Sequence, residues 1–371
     1  MTEARGTSNV ASVVEVLAVA ERHLALLTRC IPSNANAERE RLTHVWQLGG
    51  GAAERAPRWV LGPAPQLAEV RRALSRAMAE VDGEELAPLY VERAEELLLE
   101  AELVEARGQP RFRELARLRY PCAPAELDEA RAWAEQVLAD DAVDVEPPDE
   151  ASAESSLTQA LVSRLAALGV VANVVERDDL ASVAAVGEGV VYVGASAPRD
   201  PAQVARVVLH EVDGHLLPRL RSKTESIGLL RVASRGAGED EEGRALWLEE
   251  REGHWDPSTR AGRVRRRELA LRHLAAELVR QGGAHADVME LLLERGVAVP
   301  AAVQLSERVL RGGGLAREIA YLPAHARVRR AFDEDPELER WFERGRVSLD
   351  AARRLEGVRL SGQSKSTTTG T

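Results

Sequence analysis

A mainly helical protein with one small β-sheet is predicted for this chain of 371 residues. Aromatic residues make up only 4% of it, whereas Ala, Leu, Val, Arg and Glu dominate, which is typical of many amphipathic helices. Apolar residues recur at helical spacing on both sides of the middle of the chain. Two short β-branched runs, residues 170–175 and 189–194, interrupt this pattern and predict strands.

The first part of the chain, residues 10–139, is predicted to be a helical N-terminal region. Its loop near residue 50 includes a candidate strand at residues 59–61. Residues 1–9 and 361–371 are polar, and we expect them to be disordered. An acidic, proline-containing connector at residues 140–150 ends this region. The periodicity predicts helices at residues 10–30, 37–46, 65–81, 86–106, 111–118 and 125–138.

The second part, residues 151–360, is predicted to hold the sheet between helices. A helix at 151–168 ends at Gly169, and the two strands follow it. The second strand leads directly into a helix that begins near residue 200. Further helices are predicted at residues 260–280, 287–295, 301–311 and 326–355.

Charge and composition exclude several classes of protein. The formal net charge of −11 argues against a nucleic-acid binder and against a polybasic membrane-surface protein. No apolar run approaches the length needed to span a membrane. Residues 1–10 lack the features of a signal peptide, so we expect a cytoplasmic location. Cys30 and Cys122 provide neither a disulfide framework nor a cysteine-based metal site.

The helix after the second strand has a clear start signal. Asp200 and Gln203 have the spacing of a capping box, with a short acceptor at the N-cap and an amide three residues later. Pro201 occupies the first helical position, where its missing N–H costs nothing. Valines then recur at helical spacing, which predicts a buried stripe.

This helix carries the sequence H-E-V-D-G-H, in which Glu211 follows His210 and precedes His215. Histidine nitrogen and carboxylate oxygen are the usual ligands of a catalytic zinc ion, and metallopeptidases place their general base beside the first histidine. Five residues correspond to a rotation of roughly 140° on a straight helix, so the two histidines would point apart. We therefore expect either a π-like turn or a helix end at His215, and Gly214 permits both.

Two charged segments follow the histidines. An acidic cluster at residues 240–242 offers an oxygen ligand for the metal. The segment 260–280 is rich in arginine and has two interpretations. It is either a solvated helix face or a basic patch that attracts acidic peptides.

Four motifs together resemble the microtubule-associated tyrosine carboxypeptidase family and its bacterial relatives, the QEGLA-motif proteins named for flavohaemoglobin expression. The motifs are H-E-V-D-G-H at 210–215, E-E-G-R-A at 241–245, R-V-L-R-G-G-G at 308–314 and A-R-E-I-A-Y-L at 316–322. Their order and rough spacing also match. The resemblance implies a zincin-like metallopeptidase core over residues 151–360 with a helical N-terminal extension.

The resemblance also implies the roles of particular residues. His210 and His215 would be zinc ligands, Glu211 the general base and Glu242 the third ligand. Neighbours on a helix point about 100° apart, so Glu241 and Glu242 cannot both face the metal. Glu249, Glu250 and His254 are alternative ligands.

A carboxypeptidase must also stabilise an oxyanion and recognise a terminal carboxylate. Tyr321 is the candidate oxyanion donor, although an ordinary core tyrosine is an equally good interpretation. Arg308 and Arg311 are the candidate carboxylate ligands, because the planar guanidinium matches a carboxylate.

The sequence therefore predicts a zinc metallocarboxypeptidase that acts on the C-terminal tail of a peptide or protein. An endopeptidase, an aminopeptidase with the same metal site and a catalytically silent peptide-binding protein remain alternatives. The oligomeric state is not predicted. Three positions depart from the family pattern: residues 221–225, Arg244, and the pair Arg317 and Glu318. These departures concern substrate specificity, and removal of a tyrosine from tubulin is not assumed.

Overall fold

The computed structural model places most of the chain in helices around three hydrophobic clusters of buried residues. None of the helices in its described part is long and apolar enough to cross a membrane. The predicted connector lies outside the described residues beyond Asp140, as do residues 151–155 of the predicted helix after it. The described residues are 3–81, 85–140, 156–178, 180, 182–187, 189–194 and 200–367.

The N-terminal part is helical, as its periodicity predicts. Ala25 has a positive φ of 39° and divides the first predicted helix into two. The candidate strand at 59–61 is not a strand: the backbone of Val60 bonds to Ser33 and to the side chain of Asn34 instead of to a neighbouring strand. The helices are α1 (Glu3–Leu24), α2 (Leu26–Arg29), α3 (Ala35–Gln47), α4 (Ala52–Arg55), α5 (Ala68–Glu80), α6 (Ala87–Ala106), α7 (Arg111–Arg119) and α8 (Pro124–Asp140).

The sheet has three strands and follows helix α9 (Leu157–Ala167). Strand β1 (Asn173–Arg177) pairs in parallel with β3 (Val190–Gly194), with Asn173 opposite Val190. Strand β2 (Ala184–Val186) pairs antiparallel with the other side of β3. The sequence predicts β1 and β3 but not β2, which is only three residues long.

The predicted start of the next helix is confirmed. The side chain of Asp200 accepts a hydrogen bond from the backbone N–H of Gln203 at 2.8 Å. The α-helix then gives way to a π-helix, so of the two alternatives expected from the histidine spacing the structure has the widened turn and not a helix end at His215. The segment comprises α10 (Pro201–Val208), the π-helix (Leu209–Leu216), α11 (Leu217–Ser222), α12 (Gly228–Val232) and α13 (Ala237–Arg251).

The remaining chain is helical, but the helix predicted at 326–355 is interrupted twice. Asp335 caps a short 3₁₀ turn that begins at Pro336, and Gly345 ends the following helix. Helix α16 has a kink at its glycines, where residues 311–313 leave helical geometry. The helices are α14 (Arg260–Arg280), α15 (His285–Glu294), α16 (Val299–Gly314), α17 (Tyr321–Glu334), α18 (Glu339–Arg344) and α19 (Leu349–Thr367).

Helical backbone extends into both terminal segments for which disorder is predicted. Helix α1 begins at Glu3 and helix α19 ends at Thr367. Continuing a helix adds one hydrogen bond for each residue that is fixed, so polar residues can extend a helix nucleated by a packed part of the chain.

One large hydrophobic core joins the two ends of the chain. Leu17 of α1, Leu97 of α6, Val303 of α16 and Ala352 of α19 are fully buried in it. A second, smaller core packs the sheet against α9, α10 and the π-helix. The histidine-bearing π-helix therefore lies between the sheet and α13, which carries the acidic cluster.

Candidate metal centre and active site

The π-helix brings the two histidines together. Nε2 of His210 lies 3.3 Å from Nε2 of His215, although five residues separate them in the sequence. A π-helix has a wider turn than an α-helix, and its backbone hydrogen bonds join residues five apart. Two side chains five residues apart therefore lie on the same face.

Two neighbours of the π-helix explain its local sequence. A Cβ on Gly214 would lie 2.8 Å from Cβ of Ala245, so only glycine allows α13 to approach this closely. Arg244, a departure from the family pattern, is buried and donates a hydrogen bond to the carbonyl oxygen of Asp213 at 3.0 Å. Arg244 thus binds a carbonyl group of the π-helix.

Glu242 completes a group of three potential ligands. One of its carboxylate oxygens lies 3.7 Å from Nε2 of His210, and the other lies 3.9 Å from Nε2 of His215. Arg317 donates a hydrogen bond to Glu242 at 3.1 Å and holds this carboxylate near the histidines. Across the part of the chain that the structure describes, this is the group able to hold a metal ion.

The glycine of the E-E-G motif has a packing role. A Cβ on Gly243 would lie 2.6 Å from the backbone carbon of Ala324, so α13 and α17 make backbone contact here. This contact fixes the helix that presents Glu242 to the histidines.

A carboxylate binds the outer nitrogen of each histidine. Nδ1 of His210 lies 2.7 Å from Glu249, and Nδ1 of His215 lies 3.0 Å from Glu241. Carboxylates in these positions set the tautomer, so that each Nε2 faces the space between the three residues. Arg265 donates two hydrogen bonds to Glu249, and Arg219 donates to Glu241.

The charges of this group reinforce one another. Burial would raise the pKa of Glu242, but Arg317 and the histidines hold it well below its usual value. Burial would likewise raise the pKa of Glu249, but Arg265 and Arg206 lower it further than burial raises it. Burial would lower the pKa of His210, but Glu242 and Glu249 raise it to about 9. Glu242 therefore keeps the negative charge that a metal ligand requires.

The three residues open into a cavity of about 380 Å³. Glu211 and Tyr321 line the same cavity and are largely buried, with 8% and 5% of their surfaces exposed. Burial raises the pKa of Tyr321, so its hydroxyl group keeps its proton and can donate it in a hydrogen bond. Strand β2 also lines the cavity.

The cavity is rich in arginine. Arg308 and Arg311 line it, and Arg308 is paired with Glu318 at 2.6 Å. Arg272 lines it as well, and burial together with Arg308 and Arg265 lowers its pKa to about 9. Neither Arg272 nor Arg311 forms an ion pair within the described part of the chain, so both present positive charge to the cavity.

The three alternative ligands considered from the sequence lie outside the metal-binding group. Glu249, considered as an alternative ligand, binds the outer nitrogen of His210 instead. The sequence could have indicated this contact, because Glu242 and Glu249 lie seven residues apart and so share one face of a helix. Glu250 pairs with His325 at 2.8 Å, and His254 does not belong to the metal-binding group among the described residues.

Each of the two interpretations of the arginine-rich segment on α14 fits some of its residues. Arg263 is exposed, as a solvated face requires, whereas Arg265 and Arg272 line the cavity. The departure at residues 221–225 does not line the cavity, and Glu225 there pairs with Arg344.

A sequence model of the microtubule-associated tyrosine carboxypeptidase family matches residues 56–367. A comparison with individual curated proteins gives no match. The matched range covers more than half of the chain, contains the whole metal-binding group and begins after α4.

Proposed function

The chain belongs to the microtubule-associated tyrosine carboxypeptidase family, and we propose that it is a zinc-dependent carboxypeptidase that removes C-terminal residues from peptides or proteins. The convergence of His210, His215 and Glu242 is the observation that carries the proposal. Each of these side chains comes from a motif that the family shares.

The donor set fits a zinc ion. Ligands about 2.0–2.1 Å from a tetrahedral zinc lie roughly 3.4 Å from one another. The separation between the two Nε2 atoms is 3.3 Å, and the oxygens of Glu242 lie 3.7 and 3.9 Å from these nitrogens. Two imidazoles, each bound to the metal through a deprotonated Nε2, and one carboxylate would leave a fourth position open, which is typical of a catalytic site.

Glu211 and Tyr321 supply the proton chemistry. A bound zinc ion provides a Lewis acid that makes water acidic near neutral pH. Glu211 accepts the proton of the attacking water and later delivers it to the leaving amine. Tyr321 donates a hydrogen bond to the oxygen on which negative charge develops, since its buried hydroxyl group remains protonated.

The arginines of the cavity bind the terminal carboxylate of the substrate. Arg311 and Arg272 have no carboxylate partner among the described residues, and Arg308 has nitrogen atoms besides the Nε that binds Glu318. A buried guanidinium group without a partner is costly, so an anionic ligand compensates for it. The substrate's carboxylate serves this purpose and aligns the last peptide bond with the metal site.

The edge of the sheet orients the rest of the substrate. Strand β2 lines the cavity, and among the strands in the described part of the chain it pairs with β3 on one side only. An extended peptide can pair with its free edge and so present its backbone to the site. Arg219 donates a hydrogen bond to the carbonyl oxygen of Val186, the last residue of β2, at 3.0 Å.

A peptide library tests the proposal. The purified protein is incubated with zinc and with peptides that carry tags at one end, and mass spectrometry identifies the shortened end. Stepwise loss from the C-terminus of peptides, including those ending in tyrosine, supports the proposal. Loss from the N-terminus or internal cleavage favours the other peptidases, and binding without cleavage favours a silent protein.

A further inference from the structure

The corner between α1 and α2 forms one wall of the cavity. Ala25, in the left-handed conformation, turns the chain here. The residues of the corner that line the cavity are Glu21, Ala25, Leu26, Leu27 and Thr28. The corner precedes the family-matched range of residues 56–367. A segment outside the family-matched range therefore lines the cavity into which the metal-binding group opens.

One end of this wall is joined to the metal centre by ion pairs. Glu21 pairs with Arg346 at 2.7 Å. Arg346 also approaches Glu241 at 3.7 Å, and Glu241 binds the outer nitrogen of His215. Burial would raise the pKa of Glu21, but Arg346 and Arg93 lower it to about 2, so this carboxylate remains charged.

The other end of the wall meets the arginines of α16. The backbone N–H of Gly312 donates a hydrogen bond to the carbonyl oxygen of Cys30 at 3.3 Å. Gly312 directly follows Arg311, a candidate ligand of the terminal carboxylate. Arg107 binds the carbonyl oxygen of Arg29, which fixes the same end from the opposite side.

The helix that leads into the wall packs closely against the rest of the molecule. Leu17 and Leu24 of α1 are fully buried in the large core. A Cβ on Gly228 would lie 2.4 Å from a methyl group of Val14, so α1 lies directly against the start of α12. A longer substrate would have to displace packed helices to continue through this side of the cavity.

We propose that residues 21–30 form a stop wall that limits this enzyme to the end of a polypeptide chain. The wall closes the cavity next to Arg311, where a substrate extending past its terminal residue would have to continue. The inference rests on the proposed carboxypeptidase function and adds the reason why cleavage is confined to a chain end. Leu27 and Thr28 are the side chains that present the wall to the substrate.

Two peptides and a matched pair of variants test the wall. One peptide ends in a free tyrosine, and the other carries three further residues and an amidated end, so that only internal cleavage is possible. The variant Leu27→Ala/Thr28→Gly shortens the wall, and Leu48→Ala truncates an exposed leucine that does not line the cavity. Mass spectrometry measures kcat/KM for both peptides with each protein.

The wild type is expected to cleave the free-ended peptide and to leave the extended peptide almost intact. Shortening the wall should raise the ratio of extended to free-ended cleavage by about tenfold or more, since contacts of this size discriminate substrates by such factors. Leu48→Ala should leave the ratio unchanged. The wall is refuted if the shortened variant cleaves the free-ended peptide with an unchanged ratio, or if the wild type cleaves both peptides equally.

A second variant covers the case in which the shortened wall does not fold. Thr28 is exposed and lines the cavity, so Thr28→Trp adds bulk to the wall without entering the core. It should slow the release of terminal tyrosine more than the release of terminal alanine, and equal slowing overturns the wall. A wild type that cleaves no peptide in the presence of zinc overturns the proposed function, and the wall with it.

Discussion

The carboxylate of Glu249 lies 2.7 Å from Nδ1 of His210, on the side of the ring that faces away from His215 and Glu242. Glu249 is fully buried, and Arg265 binds both of its oxygens at 2.7 and 2.8 Å. The indole N–H of Trp255 donates to the same carboxylate at 3.3 Å. Glu249 therefore cannot rotate easily, and it holds His210 with Nε2 toward the metal site.

Replacing Glu249 should weaken metal binding. In Glu249→Gln the amide no longer provides the charge that stabilises His210 as a ligand, and we expect the zinc affinity to fall about 10–100-fold. Calorimetric zinc titration measures the affinity. Glu250→Gln is the matched control, because Glu250 is its neighbour on α13 but pairs with His325. Equal affinities for the two variants would contradict this role.

Replacing Glu211 should separate metal binding from catalysis. Glu211→Gln keeps the shape of the side chain but cannot accept a proton, so kcat should fall by about 10²-fold or more. The zinc affinity should remain close to that of the wild type, because Glu211 does not belong to the metal-binding group. Single-turnover kinetics with zinc-saturated protein measure kcat. A variant with full activity would exclude Glu211 as the base.

Gly312 should be intolerant of a side chain. Its φ is +66°, and a Cβ there would lie 2.5 Å from the ring of Phe112 and 2.7 Å from Sγ of Cys30. Gly312→Ala should lower the free energy of unfolding by about 2–4 kcal/mol, from backbone strain and overpacking together.

Gly253→Ala serves as the control for this substitution. Gly253 has a φ of +79° with nothing within 4 Å of its Cβ position, so only the strain term of about 1–2 kcal/mol applies. Urea denaturation measures both variants. Equal losses would show that Cys30 and Phe112 do not restrict this turn.

His273 should make the fold sensitive to acid. It is 1% exposed, and neither ring nitrogen has a hydrogen-bond partner among the residues that the structure describes. Burial lowers its pKa to about 4, while its ordinary value is 6.5. As the pH falls, this histidine therefore binds a proton in the unfolded chain before it does so in the folded protein. The free energy of unfolding keeps its full value with respect to His273 above pH 6.5 and decreases as the pH approaches 4.

The variant His273→Leu tests this acid sensitivity. The full effect in the wild type is roughly 3 kcal/mol between these two pH values. Between pH 6.5 and pH 4, the free energy of unfolding of His273→Leu should therefore fall by roughly 3 kcal/mol less than that of the wild type. His23→Leu changes an exposed histidine and should keep the wild-type dependence. Urea denaturation at several pH values provides the comparison, and parallel curves for all three proteins would contradict the prediction.

The local features of the site were predictable because they depend on neighbours in the sequence. The cap at Asp200 requires only the residues that follow it. The five-residue spacing with Gly214 before the second histidine narrows the local backbone to a π-like turn or a helix end, and the structure has the π-helix. The ligand set came from the family resemblance, and the geometry brings His210, His215 and Glu242 together.

Contacts between distant segments were not predictable from periodicity. Arg317 reaches Glu242 across 75 residues, and Arg346 reaches Glu21 across 325. Charged residues on amphipathic helices are usually solvated, so nothing in the local pattern distinguishes a buried partner from an exposed one. Strand β2 was missed for a related reason, because three residues are too few to show alternation.

Anomalous diffraction from zinc-soaked crystals tests the metal centre most directly. We expect one zinc peak about 2.0–2.2 Å from Nε2 of His210, from Nε2 of His215 and from a carboxylate oxygen of Glu242. A zinc peak bound elsewhere, or no peak at these three side chains in saturating zinc, would contradict this expectation.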